Sequence, residues 1–494
     1  MNESDLRSIL PALALIAGAL LAAGADVLFR RDKRSSPSEF LSYLAIVVSL
    51  VTVVLPLVKG EAPIEGFKAS VMLDPFALFL SIAILAATGL MIILSADALK
   101  DRGVPPGEFH GLVLFAASGM ILLVQAQELV TLFISLEILS LSVYILSGLF
   151  RKDARSNEAA VKYFVIGAFA TGFLLYGMAL LYGATGSLQF AGIAAGLRTS
   201  GAMGDLGLAM VAIGLAFKVG AVPFHMWVAD VYEGAPTCVT AFMSVAVKSA
   251  GFGAFLRLFL AAGLQQRAIW GDIVAGLAIA TMVVANLMAL SQRSVKRMLA
   301  YSSVAHTGYV LMALASLRNE GVAIQRDAAG AAVFYLFAYT FMTLGAFAFV
   351  IYAGKGGKDA EDLDDYAGLA KRRPWAAISM TVFMASLAGI PPAAGFFAKF
   401  MIFKAAVAAE EYALVIVGVL SSAVSVYYYL RVVVYMYMHG GPEGGQTGTA
   451  AGEKPSPNVG MVVMVSALFT LALGVLPGSF LEQSYRAVAL LLRR

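Results

Sequence analysis

Residues 208–236, LAMVAIGLAFKVGAVPFHMWVADVYEGAP, decide how this chain is organised, because they form an apolar span with a lysine in its middle and a proline soon after it. A charge in the middle of a membrane is costly unless it is paired or neutralised, so Lys218 in such a span is a functional hypothesis. Pro223 removes a backbone donor and clashes with the preceding turn. We therefore expect the helix to break near residues 220–223 and to leave polar backbone beside the charge, as in the discontinuous helices of transporters.

The rest of the sequence has the composition of a polytopic membrane protein. Of its 494 residues, 60% are hydrophobic and 13% are charged, whereas a soluble globular protein is about a quarter charged. Runs of about 20 apolar residues predict an all-α fold of fourteen transmembrane helices, two of them discontinuous, with no strand and no soluble domain. The predicted spans are residues 8–29, 40–58, 75–98, 109–127, 129–150, 159–183, 204–229, 236–263, 268–290, 295–317, 328–354, 374–405, 411–438 and 458–480.

The loops predict the orientation and exclude some chemistry. Most of the loop lysines and arginines follow odd-numbered spans, so these loops should be cytoplasmic and both termini periplasmic. Residues 1–29 begin with acidic Glu3 and Asp5 and continue as a full-length span, so we expect no cleavable signal peptide. The single cysteine, Cys238, excludes an intramolecular disulfide and a cysteine-ligated metal or iron–sulfur site.

Seven basic residues fall within the predicted spans. Four lie toward span ends, where long side chains can snorkel to the interface, and we expect this for Lys162, Arg257, Lys404 and Arg431. Lys218 and Lys248 are each more than ten residues from either end of their spans, beyond the reach of a snorkelling stem. For these two we favour a function over structural pairing. Lys399 is the seventh.

The acidic residues in the spans are fewer. Glu137, in TLFISLEILSLSVYIL, lies deep in a helix with no basic neighbour in sequence, and the alternative to a function is an inert protonated glutamate. Asp74 precedes a proline at a helix start and is expected to be an N-cap. Asp230 and Glu233, at the cytoplasmic end of the seventh span, are either solvated loop residues or part of a proton entrance.

A short internal repeat gives Lys399 its interpretation. The motif GAVP at 220–223 recurs in spacing as GIPP at 389–392, in the seventh and twelfth spans. Spans five helices apart cross the membrane in opposite senses, which predicts two inverted five-helix repeats. The expected division is residues 1–105 (helices 1–3), 106–265 (helices 4–8), 266–440 (helices 9–13) and 441–494 (a loop and helix 14). Lys399 then lies beside a second helix break.

Two histidines form a second tier of candidates. His306 lies inside the tenth span and His225 follows the first break. A lone histidine among apolar residues is more often a hydrogen-bonded core residue, but imidazole changes charge near neutral pH, which suits proton exchange. Near His306, the polar residues Ser302, Ser303 and Thr307 are candidates for holding water between the charged groups.

Five motifs together resemble a known family, namely SLEILSLSVYIL, FKVGAVPFHMWVADVYEGAP, VAVKSAGF, AYSSVAHTGYVL and GIPPAAGFFAKF. They are similar to the antiporter-like membrane subunits of respiratory complex I, the bacterial NADH-quinone oxidoreductase, over about residues 70–435. Lysine at 399 and the doubled proline favour the subunit N family over subunit M, and the chain is too short for subunit L. The resemblance implies fourteen helices with two inverted five-helix repeats and proton translocation by Glu137, Lys218, Lys248 and Lys399.

The same resemblance implies where the redox chemistry lies. The chain has no GxGxxG after a strand, no cysteine cluster and no axial-ligand histidine pair, so we expect no cofactor and no metal on it. NADH, FMN, iron–sulfur clusters and quinone would belong to partner subunits of a complex in the bacterial inner membrane, where sister antiporter-like subunits and lipid are the neighbours and nucleic acid is not. Three alternatives stay open: an Mrp-type cation/proton antiporter subunit, the equivalent subunit of a complex with another electron donor, and a non-conducting structural spacer.

Overall fold

The computed structural model of the chain describes residues 2–28, 37–318, 321–354, 358–440 and 456–492. Within these ranges, thirteen helices are long and apolar enough to cross a membrane. A further span is divided into two helices of 15 residues each, and each half is shorter than the roughly 20 residues that one crossing needs. The predicted all-α polytopic fold is therefore confirmed. The predicted basic loop at 30–34 and the loop 441–455 lie outside the described residues.

The N-terminal part contains three membrane helices and a small hairpin. Its elements are α1 (Glu3–Leu28), α2 (Pro37–Lys59), β1 (Ile64–Gly66), β2 (Val71–Leu73) and α3 (Pro75–Arg102). The hairpin is antiparallel, so the prediction that the chain has no strand was wrong. Three-residue strands are too short to show alternation in sequence. Asp74 caps α3 as predicted, since its carboxylate accepts a 2.9 Å hydrogen bond from the Ala77 amide.

The middle of the chain forms the first set of helices around a break. They are α4 (Pro106–Gln125), α5 (Leu129–Ser147), α6 (Ala154–Thr185), α7 (Phe190–Gly196), α8 (Gly201–Val219), α9 (Met226–Gly234), α10 (Thr237–Phe242) and α11 (Lys248–Leu258). The last two belong to one membrane-length helix, Thr237–Gly263. Its π-helical turns, Met243–Val247 and Phe259–Gly263, immediately precede Lys248 and follow α11.

The second set of helices follows, with a break of its own. It comprises α12 (Arg267–Leu290), α13 (Val295–Ala315), α14 (Val322–Ala353), α15 (Leu369–Arg372), α16 (Pro374–Ala388), α17 (Ala394–Ala408) and α18 (Tyr412–Met438). The C-terminal part is α19 (Pro457–Val475) and α20 (Gly478–Ala489). The predicted last span, 458–480, therefore ends early, and α20 is a separate helix that packs on α3 and α14.

Both predicted helix breaks are present and have the same backbone pattern. α8 ends at Gly220 (φ 73°) and α16 at Gly389 (φ 86°), both in the left-handed region that glycine tolerates. In each, the next residue donates a 2.9 Å hydrogen bond to the carbonyl five residues earlier, which is a Schellman cap. Each break also contains a cis X–Pro bond. The breaks are thus confirmed, while the repeat boundaries stay a prediction.

Candidate functional site

Three lysines lie in the interior of the bundle. Lys218 on α8, Lys248 on α11 and Lys399 on α17 are each 4% exposed. None of them reaches the surface of the described structure, so snorkelling does not account for them. Each ammonium group has a serine partner and faces at least one tyrosine ring, and these contacts define the site.

Lys218 is held in a pocket between α5, α6 and α8. Its Nζ donates a 2.8 Å hydrogen bond to Ser140 Oγ and lies 5.3 and 5.4 Å from the ring centres of Tyr144 and Tyr163. Ring faces attract a cation, most strongly where water is excluded. Tyr163 in turn stacks on Trp227 of α9, beyond the break, with ring centres 4.3 Å apart. The pocket therefore joins Lys218 to both halves of the broken span.

Glu137 lies near Lys218 but does not touch it. Its Oε1 accepts a 3.0 Å hydrogen bond from Thr171 of α6, and within the described residues no ion pair of 4.0 Å or less joins it to Lys218. Ser140, which binds the lysine, is three residues from Glu137 on the same face of α5, and the two charges interact electrostatically. In this structure the hydrogen bond of Lys218 therefore goes to Ser140 and that of Glu137 to Thr171.

Lys248 follows the π-helical turn and binds α13. Its Nζ donates to Ser303 Oγ at 2.6 Å and to the Ser303 carbonyl at 2.5 Å, and lies 5.7 Å from the centre of the Tyr339 ring. One turn further along α13, Thr307 donates a 2.8 Å hydrogen bond to the Val219 carbonyl, which is the residue after Lys218. α13 therefore connects the Lys248 site with the first break.

His306 lies between Lys248 and Lys399. Its Nδ1 is bonded to the Tyr335 hydroxyl, and its Nε2 lies 3.1 Å from the Tyr429 hydroxyl. The histidine interacts with the charges of both lysines. Its ring also contacts Tyr309 and Tyr339, the two rings that face Lys399 and Lys248 respectively. The rings of Tyr339 and Tyr309 thus link Lys248, His306 and Lys399 into one buried track that runs from α11 through α13 to α17.

The second break itself holds Lys399. The Nζ atom donates to the carbonyls of Leu387 (2.9 Å) and Ala388 (3.2 Å), the last two residues of α16, and to Ser422 Oγ of α18 (2.9 Å). The end of α16 presents unpaired carbonyls and a negative helix dipole, both of which favour a cation. The Tyr309 ring centre lies 4.9 Å away. Among the described residues, no cluster of three or more His, Cys, Asp or Glu is placed to hold a metal ion.

The other four basic residues differ in how well they were predicted. Snorkelling was wrong for Arg257, which is fully buried and pairs with both Asp74 oxygens at 2.7 and 3.0 Å while Nε binds the Val124 carbonyl. Its acidic partner lies 183 residues earlier, where sequence spacing cannot reveal it. Lys162 is partly exposed and pairs with Asp230, and Lys404 is exposed, as expected. Arg431 is also partly exposed, and it donates to the carbonyls of Leu290 and Gln292 at the end of α12.

An ion-pair network lies at the end of α9 and the start of α13. Arg297 binds both Asp230 (3.0 Å) and Glu233 (2.5 Å), so neither carboxylate is a freely solvated loop residue. Beside them a cavity of about 700 Å³ extends to the start of the helix Thr237–Gly263, which contains Lys248. Polar residues from several elements line it, among them Glu233, Lys296 and Asp359.

His225 lies half-buried in the first break, and no hydrogen bond or ring contact found in the described ranges connects it to the three lysines, so its role stays a prediction.

The tyrosines that surround the charges were not predicted from the sequence. They are Tyr144, Tyr163, Tyr309, Tyr335, Tyr339 and Tyr429. They come from five different helices, and no spacing in the sequence marks them as neighbours of the lysines.

Comparisons with known proteins identify the family and the fold of the chain. Residues 126–425 match the family described as NADH:quinone oxidoreductase/Mrp antiporter, TM. The chain is 44% identical over 462 residues to the NADH-quinone oxidoreductase subunit N of Trichlorobacter lovleyi, covering 92% of each. It is similar to a chain of respiratory complex I from Thermus thermophilus with bound aureothin, with 32% identity, a TM-score of 0.78, and 96% and 98% of the two chains covered. A chain of the Mrp complex from Dietzia sp. has the same fold at 23% identity, with a TM-score of 0.82 and coverage of 100% and 98%.

Proposed function

The chain belongs to the subunit N family of NADH-quinone oxidoreductase, and from this premise we propose that it translocates protons through Lys218, Lys248, His306 and Lys399, with Glu137 controlling the first step. It is a multi-pass membrane subunit of a translocase. The observation that supports the residue roles is the track of buried groups described above. Each lysine is enclosed, each has a hydroxyl partner, and His306 interacts with the charges of two of them.

The route begins at the predicted cytoplasmic side. The 700 Å³ cavity at the start of the helix Thr237–Gly263 is the proposed entrance. Lys218 receives a proton and passes it toward Lys248, along the contact between α8 and α11. Thr307 of α13 stabilises the end of α8 there by donating to the Val219 carbonyl. His306 then relays it to Lys399, which releases it on the outer side. We also propose that His225 takes part in proton transfer, because it lies in the break next to Lys218.

Glu137 provides the control because it interacts with Lys218 without being bound to it. Burial disfavours a charged lysine and a nearby carboxylate favours it, so movement of Glu137 changes whether Lys218 keeps its proton. Two charges brought to about 4 Å gain roughly 4 kcal/mol at an effective dielectric constant near 20. Moving a charge against the membrane potential costs about 2.3 kcal/mol per 100 mV. Approach and withdrawal of one carboxylate are therefore large enough to drive the transfer.

The partners follow from the family. We infer that the chain is assembled with sister antiporter-like subunits and other membrane subunits of the complex in the bacterial inner membrane, with both termini periplasmic. NADH, FMN, iron–sulfur clusters and quinone are assigned to partner subunits, and none to this chain. The electron transfer that these partners perform would move Glu137 through the charges of the adjacent subunits.

The test replaces Lys218 with Met in the assembled complex, in membrane vesicles. We expect proton pumping to fall at least several-fold, because the first carrier on the route is gone. Lys404→Met is the matched control, since Lys404 is an exposed lysine on α17, and it should pump like the unmodified complex. Pumping by the Lys218 variant at the full proton-to-electron ratio would remove Lys218 from the path and favour the structural-spacer alternative.

The same preparation separates the remaining alternatives. Co-purification of the chain with NADH dehydrogenase activity is the expected result. Co-purification with a different electron-donor module would assign the chain to a related complex. Sodium tolerance conferred on a sensitive host, without such a module, would instead assign it to an Mrp-type antiporter, whose fold it shares.

A further inference from the structure

The seam between α13, α17 and α18 continues outward from Lys399 in layers. In the first layer, Lys399 of α17 meets Tyr309 of α13 and Ser422 of α18. α13 and α17 run toward the predicted outer side and α18 runs back from it. One helical turn outward is therefore three or four residues later on the first two helices and four residues earlier on α18.

The second layer, one turn outward, is apolar. It consists of Met312, Phe403 and Gly418, which are spaced by three, four and four residues from the members of the first layer. A Cβ atom at Gly418 would lie 2.5 Å from Met312 Cε and 2.8 Å from a Phe403 ring carbon. The two side chains are thus pressed against the bare backbone of α18, where only glycine leaves them room. Phe403 also contacts the edge of the Tyr309 ring, with centres 6.3 Å apart.

The outermost layer consists of three charged side chains that are exposed to water to different extents. Asp272 at the start of α12 has a side chain 74% exposed, Arg318 is 36% exposed, and Glu411 is only 5% exposed. Arg318 is bonded to both carboxylates, including a 2.8 Å hydrogen bond from Nη2 to Glu411 Oε2. Glu411 itself sits at the start of α18, and its amide donates to the Ala406 carbonyl at the end of α17.

The turn that places Glu411 is specific. Glu410 adopts the left-handed conformation (φ 64°) and is exposed, so two adjacent glutamates point to different environments, one to water and one to the seam. Burial raises the pKa of the Glu411 carboxyl above its ordinary value, although Arg318 opposes this. A buried carboxylate thus lies at the outer end of the seam, seven residues before Gly418.

We propose that protons leave Lys399 along this seam, through an apolar gate formed by Met312 and Phe403 over Gly418, and are received by Glu411 before release to the outer water. The inference rests on the proposed function, because it assumes that Lys399 is the last lysine on the route. When the gate admits water, the Lys399 ammonium gives up its proton and becomes neutral, and the Glu411 carboxylate becomes a carboxylic acid. Opening of the pair with Arg318 exposes that acid, which gives its proton to outer water and becomes a carboxylate again. A narrow apolar passage of this kind closes by excluding water.

The first test compares two neighbouring glutamates in the assembled complex, reconstituted in vesicles. Glu411→Gln keeps the size of the side chain and removes the proton acceptor, and we expect its pumping rate to fall at least fivefold. Glu410→Gln is the matched control and should keep the unmodified rate. Equal rates in the two variants would overturn the inference. Lys399→Met, measured in parallel, distinguishes the two levels: if it lowers pumping while Glu411→Gln does not, only the exit is wrong, and if it leaves pumping intact, the proposed function fails as well.

The second test does not depend on pumping. In a Cys238→Ser background, a cysteine is placed inside the gate by Ser422→Cys and is exposed to a membrane-impermeant methanethiosulfonate reagent from the outer side. We expect protection while Phe403 is present and at least tenfold faster labelling when Phe403→Ala is added. An equal rate with and without Phe403 would show that this side chain does not close the passage, and would overturn the gate.

Discussion

The two broken spans have the same cap and use it differently. At the second break, the carbonyls freed at the end of α16 bind the ammonium of Lys399 directly. At the first break, the carbonyl of Val219, which corresponds to Ala388, accepts from Thr307 (2.8 Å), and the carbonyl of Phe217 accepts from Trp227 (3.3 Å). Within the described residues, Lys218 Nζ has one hydrogen bond, to a serine, and a carboxylate nearby that it does not touch.

This difference assigns different roles to two similar motifs. A cation with three fixed oxygen partners stays where it is, which suits a terminal carrier that must only gain and lose a proton. A cation with one hydroxyl partner and two tyrosine rings depends on the electrostatic field of its surroundings. In the proposed route, we therefore expect the first break to respond to neighbouring subunits and the second break to hold Lys399 in a fixed position.

The largest expected effect concerns the ion pair of Arg257 and Asp74, which lies outside both breaks. We expect this pair to stabilise the protein, in contrast to the lysines that carry protons in the proposed route. Arg257→Leu leaves Asp74 buried without its partner, which costs about 3–5 kcal/mol, and we expect little assembled complex. The double variant Asp74→Asn with Arg257→Leu removes the unpaired charge, keeps a good helix cap, and should recover much of the yield. Assembly of the single variant at normal thermal stability would show that the pair is dispensable.

The next prediction compares how much Lys399 and Lys218 each contribute to the thermal stability of the complex. Lys399→Met removes the donor of the buried Leu387 carbonyl and leaves the Ala388 carbonyl with only a 3.4 Å hydrogen bond from Ser422, and an unpaired buried polar group costs about 1–3 kcal/mol. Lys218→Met leaves only Ser140, whose hydroxyl already donates to the Leu136 carbonyl at 2.5 Å. Thermal unfolding of the purified complex should therefore be lowered more by Lys399→Met. Equal shifts would contradict the difference between the breaks.

A smaller effect concerns the serine partners. Ser140→Ala removes the one hydrogen bond of Lys218, and we expect pumping to slow several-fold. Ser422→Ala leaves Lys399 with its two carbonyls, so a change of less than twofold is expected. Initial rates of vesicle acidification measure both variants. A larger loss for Ser422→Ala than for Ser140→Ala would reverse the assignment of the flexible and the fixed site.

Much of this fold follows from the sequence, because membrane helices and their breaks depend on local properties. Apolar length predicted the spans, and a glycine and a proline in the middle of an apolar run predicted both breaks. The interior positions of Lys218 and Lys248 followed from their distance to the span ends, and that of Lys399 beside the second break followed from the repeated Gly-x-x-Pro motif. The hairpin at 64–73 and the end of the last span were missed, since three-residue strands and a short surface helix have weak patterns.

The details of the site depend on contacts between distant segments. Arg257 was misplaced because its partner, Asp74, comes from another helix. The hydrogen bond from Lys218 to Ser140 was not predicted, because nothing in the sequence shows which polar residue of another helix a buried lysine will bind. The tyrosines around His306 could not be found from sequence either, since aromatic residues are common in membrane helices and only packing selects those that face a charge.

The central claim is that protons cross the membrane through the enclosed lysines, and Lys248 tests it most directly because it lies in the middle of the track. The measurement is the number of protons pumped per electron by the complex with Lys248→Met, in sealed vesicles, beside Lys404→Met. We expect the Lys248 variant to lose pumping and the Lys404 variant to keep the unmodified ratio. An unmodified ratio at an unmodified rate in the Lys248 variant would contradict it.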